Sequence, residues 1–291
     1  MRLKAPRSAR SIETMPAPAS GRRLGPVWET TLAPRAGMTT GLTMAGFRNH
    51  SMTAVDLPVV PHPAITLIVE FGDDSLVVGD GGDLRHRGSL VAGLGLRRIN
   101  MWGKGVECVE VRLSPLVAHS VLGISPAELA DGMVAVDDLW GHDASRLRDQ
   151  LAHTSSWQDR FALTGTLLAR RRDAEPKVDP EVAWAWGEIT GSHGRRRVEE
   201  LADEIGWSRK RLWARFRSQI GVPPKRAASL VRFDRAVHRL AAGRNPAEVA
   251  ADGGYADQSH LHREALAFTG LTPAALARHP ELVEDGPGFA C

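Results

Sequence analysis

The chain has 291 residues, enough for two domains that each bury a core. Apolar residues make up 43% and charged residues 24%, which excludes global disorder, and no apolar run approaches the roughly eighteen residues of a transmembrane helix, so no membrane partner is expected. The net charge of +3 is unevenly spread: residues 195–239 hold thirteen Lys/Arg against five Asp/Glu, and residues 240–280 hold three against four. A basic block beside a neutral one points to a polyanionic partner, or to a solvated surface in an Arg-rich chain where Arg outnumbers Lys 32 to 5.

Residues 1–23 mix Arg, Ser, Pro, Ala and Gly without periodicity and read as a disordered leader, lacking the apolar core of a secretory signal. With Cys108 and Cys291 alone, neither a disulfide framework nor a cysteine-rich metal site is expected, and the compartment reads as a reducing cytoplasm. Residues 24–113 alternate short apolar runs with Gly, Pro and Asp. The clearest strands are Ala64–Phe71, Leu76–Val78, Leu90–Ala92 and Val106–Val111, the last with period two, so this segment is expected to form a β-rich sensing domain. No Gly-rich phosphate loop opens a helix here, which excludes Rossmann and P-loop folds. Residues 114–176 turn helical: a short helix around Leu116–Leu122 closed by Gly123, a turn at Pro126, then helices over 144–152 and 160–172. They are expected to form a helical layer, dimerisation surface and linker.

From Pro180 the helical period is strong. Val198, Leu201, Ala202 and Ile205 share one face, Gly206 stops that helix, and Ser208 offers an N-cap for a second, in which Leu212, Phe216 and Ile220 step by four to Gly221. This is a helix-turn-helix pattern, whose second helix lies in the major groove. The pattern recurs after a longer helix over Ser229–Ala242. Asn245-Pro246-Ala247-Glu248 starts a helix, Gly253-Gly254 turns, and a helix begun by Ala256-Asp257 carries Leu261, Ala265 and Phe268 to Gly270. The turn glycines Gly206 and Gly254 are 48 residues apart.

Two such units joined by a helix, each ending in Gly-x-x-Pro, resemble the DNA-binding domain of the AraC/XylS family of bacterial transcription regulators. The resemblance is carried by residues 198–208, Leu212-Trp213-Ala214-Arg215-Phe216, residues 254–263 and Thr269-Gly270-Leu271-Thr272-Pro273. It covers about 180–280, and more loosely 24–176 through the order of a β-rich domain followed by helices. The expected fold is therefore α+β: a small antiparallel β barrel or sandwich (cupin-like) with a helical layer, then an all-α domain over 177–280 with two helix-turn-helix units, and a flexible tail over 281–291.

The resemblance implies base-facing positions at Lys210, Trp213 and Ala214 in the first unit and at Gln258, Ser259, His260, His262 and Arg263 in the second. Arg209, Arg211, Arg215 and Arg217 are assigned to phosphate. Lys or Arg suits guanine O6/N7 and Gln suits adenine N6/N7. Trp213 would pack on thymine methyls or the sugar backbone, core packing being the alternative. Arg195-Arg196-Arg197 and Lys225-Arg226 read as phosphate contacts or solvated charges. Glu264-Ala265-Leu266-Ala267-Phe268 stands where the family often has basic residues, so the second unit is expected to attract phosphate less. The implied partners are double-stranded promoter or operator DNA, RNA polymerase, a small-molecule effector and a second copy of the chain.

No cofactor is called for. His50, His62 and His86 lack a His-x-His with a spaced Glu, and Cys108 in an alternating strand reads as a packed thiol. Trp28, Trp102 and Trp140 are candidates for a ligand pocket or for core. The competing functions are a cupin-like metal-dependent enzyme carrying a DNA-binding domain and a non-specific DNA-binding protein.

Overall fold

Alternating apolar residues before Leu113 assemble, in the computed structural model, into two antiparallel sheets; the structure describes residues 28–34, 40–51, 54–73, 75–80, 85–130, 132–172 and 178–283. The leader over 1–23 and residues 284–291 of the tail lie outside the described residues. The strands are β1 (Trp28–Leu32), β2 (Leu42–Asn49), β3 (Val55–Pro58), β4 (Ile65–Glu70), β5 (Val77–Gly79), β6 (Arg85–Arg87), β7 (Leu90–Ala92), β8 (Asn100–Gly103), β9 (Glu107–Leu113) and β10 (Met133–Ala135). One sheet has the order β1-β2-β9-β4-β7-β10, the other β3-β8-β5-β6. In the larger sheet Met44 lies opposite Val111, Val111 opposite Leu67 and Leu67 opposite Val91, one inward row across four strands. All four are buried, as side chains on one face of a pleated sheet must be when helices cover it. A smaller core of Leu76, Val78, Leu90, Ile99, Val106 and Cys108 lies apart from this one.

The helices are α1 (Pro115–Leu122), α2 (Pro126–Leu129), α3 (Val136–Trp140), α4 (His142–Ala152), α5 (Trp157–Arg171), α6 (Pro180–Gly191), α7 (Val198–Glu204), α8 (Arg209–Ile220), α9 (Pro224–Ala241), α10 (Pro246–Asp252), α11 (Gln258–Thr269) and α12 (Pro273–Arg278). Six of them, α1, α2, α6, α9, α10 and α12, open on proline, where the missing N–H is no loss and the fixed φ favours the first turn. That device explains one departure from expectation: α9 begins at Pro224 rather than Ser229, started by Pro223-Pro224. A second departure is β10, a strand inside the expected helical layer, which pairs with β7. Of the three candidate pocket tryptophans, Trp140 is buried in the core and Trp102 is half-buried on β8, while the side chain of Trp28 lies outside the described residues.

The larger sheet, the helical layer and the C-terminal helices share one contiguous core, running from Val111 and Leu67 through Leu147, Leu151 and Phe161 to Trp186, Phe216 and Phe233. At the sheet–helix junction Trp157 lies against the backbone of Gly46 on β2, between Phe161 and Phe71, each with ring centroids 6.0 Å away. Arg160, 5% exposed, lies over the Phe71 ring at 4.4 Å, donates from Nε to Leu151 O at 3.1 Å and faces Glu107 at 3.7 Å. A Cβ on Gly46 would overlap the Trp157 ring. Gly46→Ala is therefore expected to cost about 1–3 kcal/mol in chemical denaturation, as overpacking of a filled core does.

His62, 13% exposed, sits beside Glu110 at 3.8 Å, and Glu110 in turn pairs with Arg112 at 2.6 Å. Burial, reinforced by the positive charges of Arg112 and of His238 on α9, holds this imidazole well below its ordinary value of 6.5. On acidification the unfolded chain then takes up the proton first, so stability present above pH 6.5 is lost as the pH falls below it. The stability of the wild type relative to His62→Gln should fall between pH 7.5 and 5.5, by up to about 1.4 kcal/mol per pH unit below 6.5. Urea denaturation of both proteins across that range measures it.

Candidate nucleic-acid interface

The first unit is built from α7 and α8. Leu201 and Ala202 anchor α7, Gly206 takes φ +68°, and Trp207 N–H returns to Ala202 O at 2.9 Å to close the turn. The Ser208 hydroxyl then accepts from Arg211 N–H at 3.2 Å and starts α8. Leu212, Phe216 and Ile220 are fully buried along one face, with Phe216 against Trp186 at 6.4 Å. Lys210, Trp213, Ala214 and Arg217 lie exposed on the other faces of the helix. Trp213 is 46% exposed with the Arg217 guanidinium over its ring at 5.3 Å, which overturns the core-packing alternative. Arg209 reaches Glu199 at 3.3 Å, Arg211 stacks on Trp207 at 4.3 Å, and Arg215 pairs with Asp179 at 2.6 Å.

The second unit repeats the construction. Val249 and Ala250 anchor α10, Gly254 takes φ +77°, and Tyr255 N–H returns to Ala250 O at 3.2 Å. The N-cap is Asp257, accepting from His260 N–H at 2.7 Å, so this turn is one residue longer than the first. Counted from the helix starts, Lys210 corresponds to Ser259, Arg211 to His260, Trp213 to His262, Ala214 to Arg263 and Arg215 to Glu264. Gln258, Ser259, His262 and Arg263 are exposed. His260 is half-exposed. Like Arg211 on Trp207, it leans back on the turn aromatic, Tyr255, at 5.2 Å, and its Nε2 stands 3.5 Å from Glu264.

Two charges weighed against phosphate in the sequence are held by partners within the protein. Arg196 ties α6 to α7 by pairing with Glu188 at 3.2 Å, with Glu200 at 3.5 Å and with Glu204. Glu264 is 8% exposed and accepts from Ser229 Oγ at 2.8 Å and from Arg232 at 2.9 Å, so its charge is neutralised inside the domain. Burial and the nearby Glu264 carboxylate push the Tyr255 phenol far above its ordinary value, keeping it neutral. The signal for Glu264 was present in the sequence: it follows Leu261 by three residues and so shares the inward face. The histidines of the β region have individual partners: His50 faces Glu29 at 3.1 Å, and His86 faces Ser89 O at 3.1 Å.

The difference between Arg217 and the carboxylate-paired Arg196 is measurable. In a plot of log affinity against log salt concentration for DNA, Arg217→Ala should lower the slope by about one phosphate contact. Arg196→Ala should leave the slope unchanged and lower the melting temperature.

Residues 201–279 match the family model described as a helix-turn-helix domain. No curated protein matches the sequence. Among solved structures, ToxT from Vibrio cholerae O395 is similar at 9% identity and a TM-score of 0.49, over 84% of this chain and 99% of that one. Unsaturated fatty acid bound ToxT from Vibrio cholerae strain SCE256 is similar at 11% identity and a TM-score of 0.46, over 82% and 96%. The C-terminal domain of AraT, a response regulator from Geobacillus stearothermophilus, is similar at 19% identity and a TM-score of 0.34, over 35% and 87%. Residues 201–279 form a helix-turn-helix domain, the two units of which are built on α7–α8 and α10–α11.

Proposed function

We propose that the protein reads a bipartite operator with α8 and α11 in successive major grooves, and that a small effector bound by the N-terminal half modulates this. The observation that carries the reading is the repeated construction of the two units: the same turn hydrogen bond, the same N-capping and an exposed polar face on each twelve-residue helix. Lys210 reads guanine, Trp213 packs on thymine methyls or sugar, and Ala214 permits close approach. Gln258 addresses adenine and Arg263 guanine, with Ser259 and His262 beside them. Arg209, Arg211, Arg215 and Arg217 attract phosphate, two of them through guanidinium groups already held by Glu199 and Asp179.

In this reading residues 24–113 sense the effector, 114–176 form the helical layer and a surface for a second copy, and 177–280 bind DNA. The contiguous core gives the halves a physical route for coupling, because a packed interior transmits displacement. The protein works by binding, without chemistry on its ligands, in the cytoplasm and alongside RNA polymerase.

Selection of full-length protein on a random DNA library at two salt concentrations tests the reading. Two short half-sites about one helical turn apart are expected. On the enriched site Lys210→Ala should cost about 1–3 kcal/mol and Gln258→Ala less, because α8 opens on three consecutive cations and the first turn of α11 has none. Salt-sensitive binding to every sequence alike would favour the non-specific alternative.

A further inference from the structure

Both recognition helices are gripped by their C-terminal ends, and by the same part of the N-terminal half. Arg98, in the loop between β7 and β8, donates its backbone N–H to Phe268 O at 2.7 Å and its Nε to Leu266 O at 3.1 Å. Phe268 O belongs to the last turn of α11, where helix acceptors lack intrahelical partners and a cation meets the negative end of the dipole, while Leu266 O in the same turn also accepts from the C-cap Gly270 N–H at 3.0 Å. Arg98 holds a left-handed φ of +51° to do this. At the other unit, Ser125 Oγ donates to Ser218 O at 3.4 Å. Pro126 O approaches the C-cap of α8 so closely that a Cβ on Gly221 would stand 2.5 Å away.

The two grips are joined. Gly95 N–H donates to Ala130 O at 3.0 Å and Gly93 N–H to Gly132 O at 3.2 Å, tying the Arg98 loop to the end of α2. Residues 93–98, 125–130 and 132 therefore make one bridge from α8 to α11, while α9 connects the same two units through the C-terminal domain. Two independent connections between two bodies fix their relative orientation where a single connection leaves a hinge.

Resting on the DNA-reading function above, we propose that this bridge sets the half-site spacing the protein accepts, with Arg98 as a positioning residue that touches no DNA. The N-terminal half would then act on specificity as well as on affinity, through the angle between α8 and α11.

The test uses the full-length protein on the selected operator and on versions whose half-site separation is changed one base pair at a time. Arg98→Pro removes the N–H and the guanidinium and cannot adopt φ +51°; Arg98→Gly removes the guanidinium alone and relaxes the backbone. The wild type should prefer one spacing over its neighbours by about tenfold. Arg98→Pro should flatten that preference to under about threefold, Arg98→Gly should fall between, and affinity for DNA carrying one intact half-site should stay unchanged in both. Should Arg98→Pro melt early, Arg98→Gly combined with Ser125→Ala gives the same readout. A spacing preference as sharp as the wild type's in variants that melt normally would overturn the proposal. A wild type with no preferred sequence would overturn the DNA-reading function itself.

Discussion

A recognition helix can present a polar face to DNA only if its other face is held, and in α11 that hold turns on the buried pair of Arg232 with Glu264. The side chains are 17% and 8% exposed, and Ser229 supplies a further hydrogen bond to the carboxylate. Removing either partner would strand a charge in the interior, at a cost of about 3–5 kcal/mol. The Phe233–Phe268 stack at 4.6 Å continues the same contact along α9. In the first unit Arg215, at the helix position of Glu264, is 51% exposed and pairs with Asp179 at the start of α6, so the inward hold there falls to the buried Leu212, Phe216 and Ile220.

With the helices anchored, the outward residues divide by reach. Arg211 and His260 lean on the turn aromatics Trp207 and Tyr255 and stiffen the entry to each helix. Lys210, Trp213, Gln258, Ser259, His262 and Arg263 stand exposed beyond them. The shared core and the bridge over residues 93–98, 125–130 and 132 bind this arrangement to the β-rich half, so a change felt there has a mechanical path to both units.

The C-terminal half was largely legible because its signals are local. Glycine stops, hydroxyl and Asn caps and an i, i+4 apolar step each report on one helix, and Leu212, Phe216 and Ile220 are buried as their spacing implies. The β-rich half was legible only in its central strands. Leu42–Asn49 was missed because Gly46 breaks its β character, and that glycine exists to admit Trp157 from more than a hundred residues away. Single-residue chemistry depends on partners that the spacing of residues along the chain does not reveal. Arg196 reads as a phosphate contact or a solvated charge until Glu188 and Glu204 stand beside it, and Glu264 reads as an unpaired acid until Arg232 does. Arg98 carried no sequence signal, since its partners are backbone carbonyls of another domain.

The central claim is that two tandem units engage one face of the duplex together. Hydroxyl-radical footprinting of the full-length protein on its selected operator tests it most directly. Two protected windows centred about 10–10.5 base pairs apart on the same face are predicted. A single window, or uniform protection along the fragment, would contradict the account.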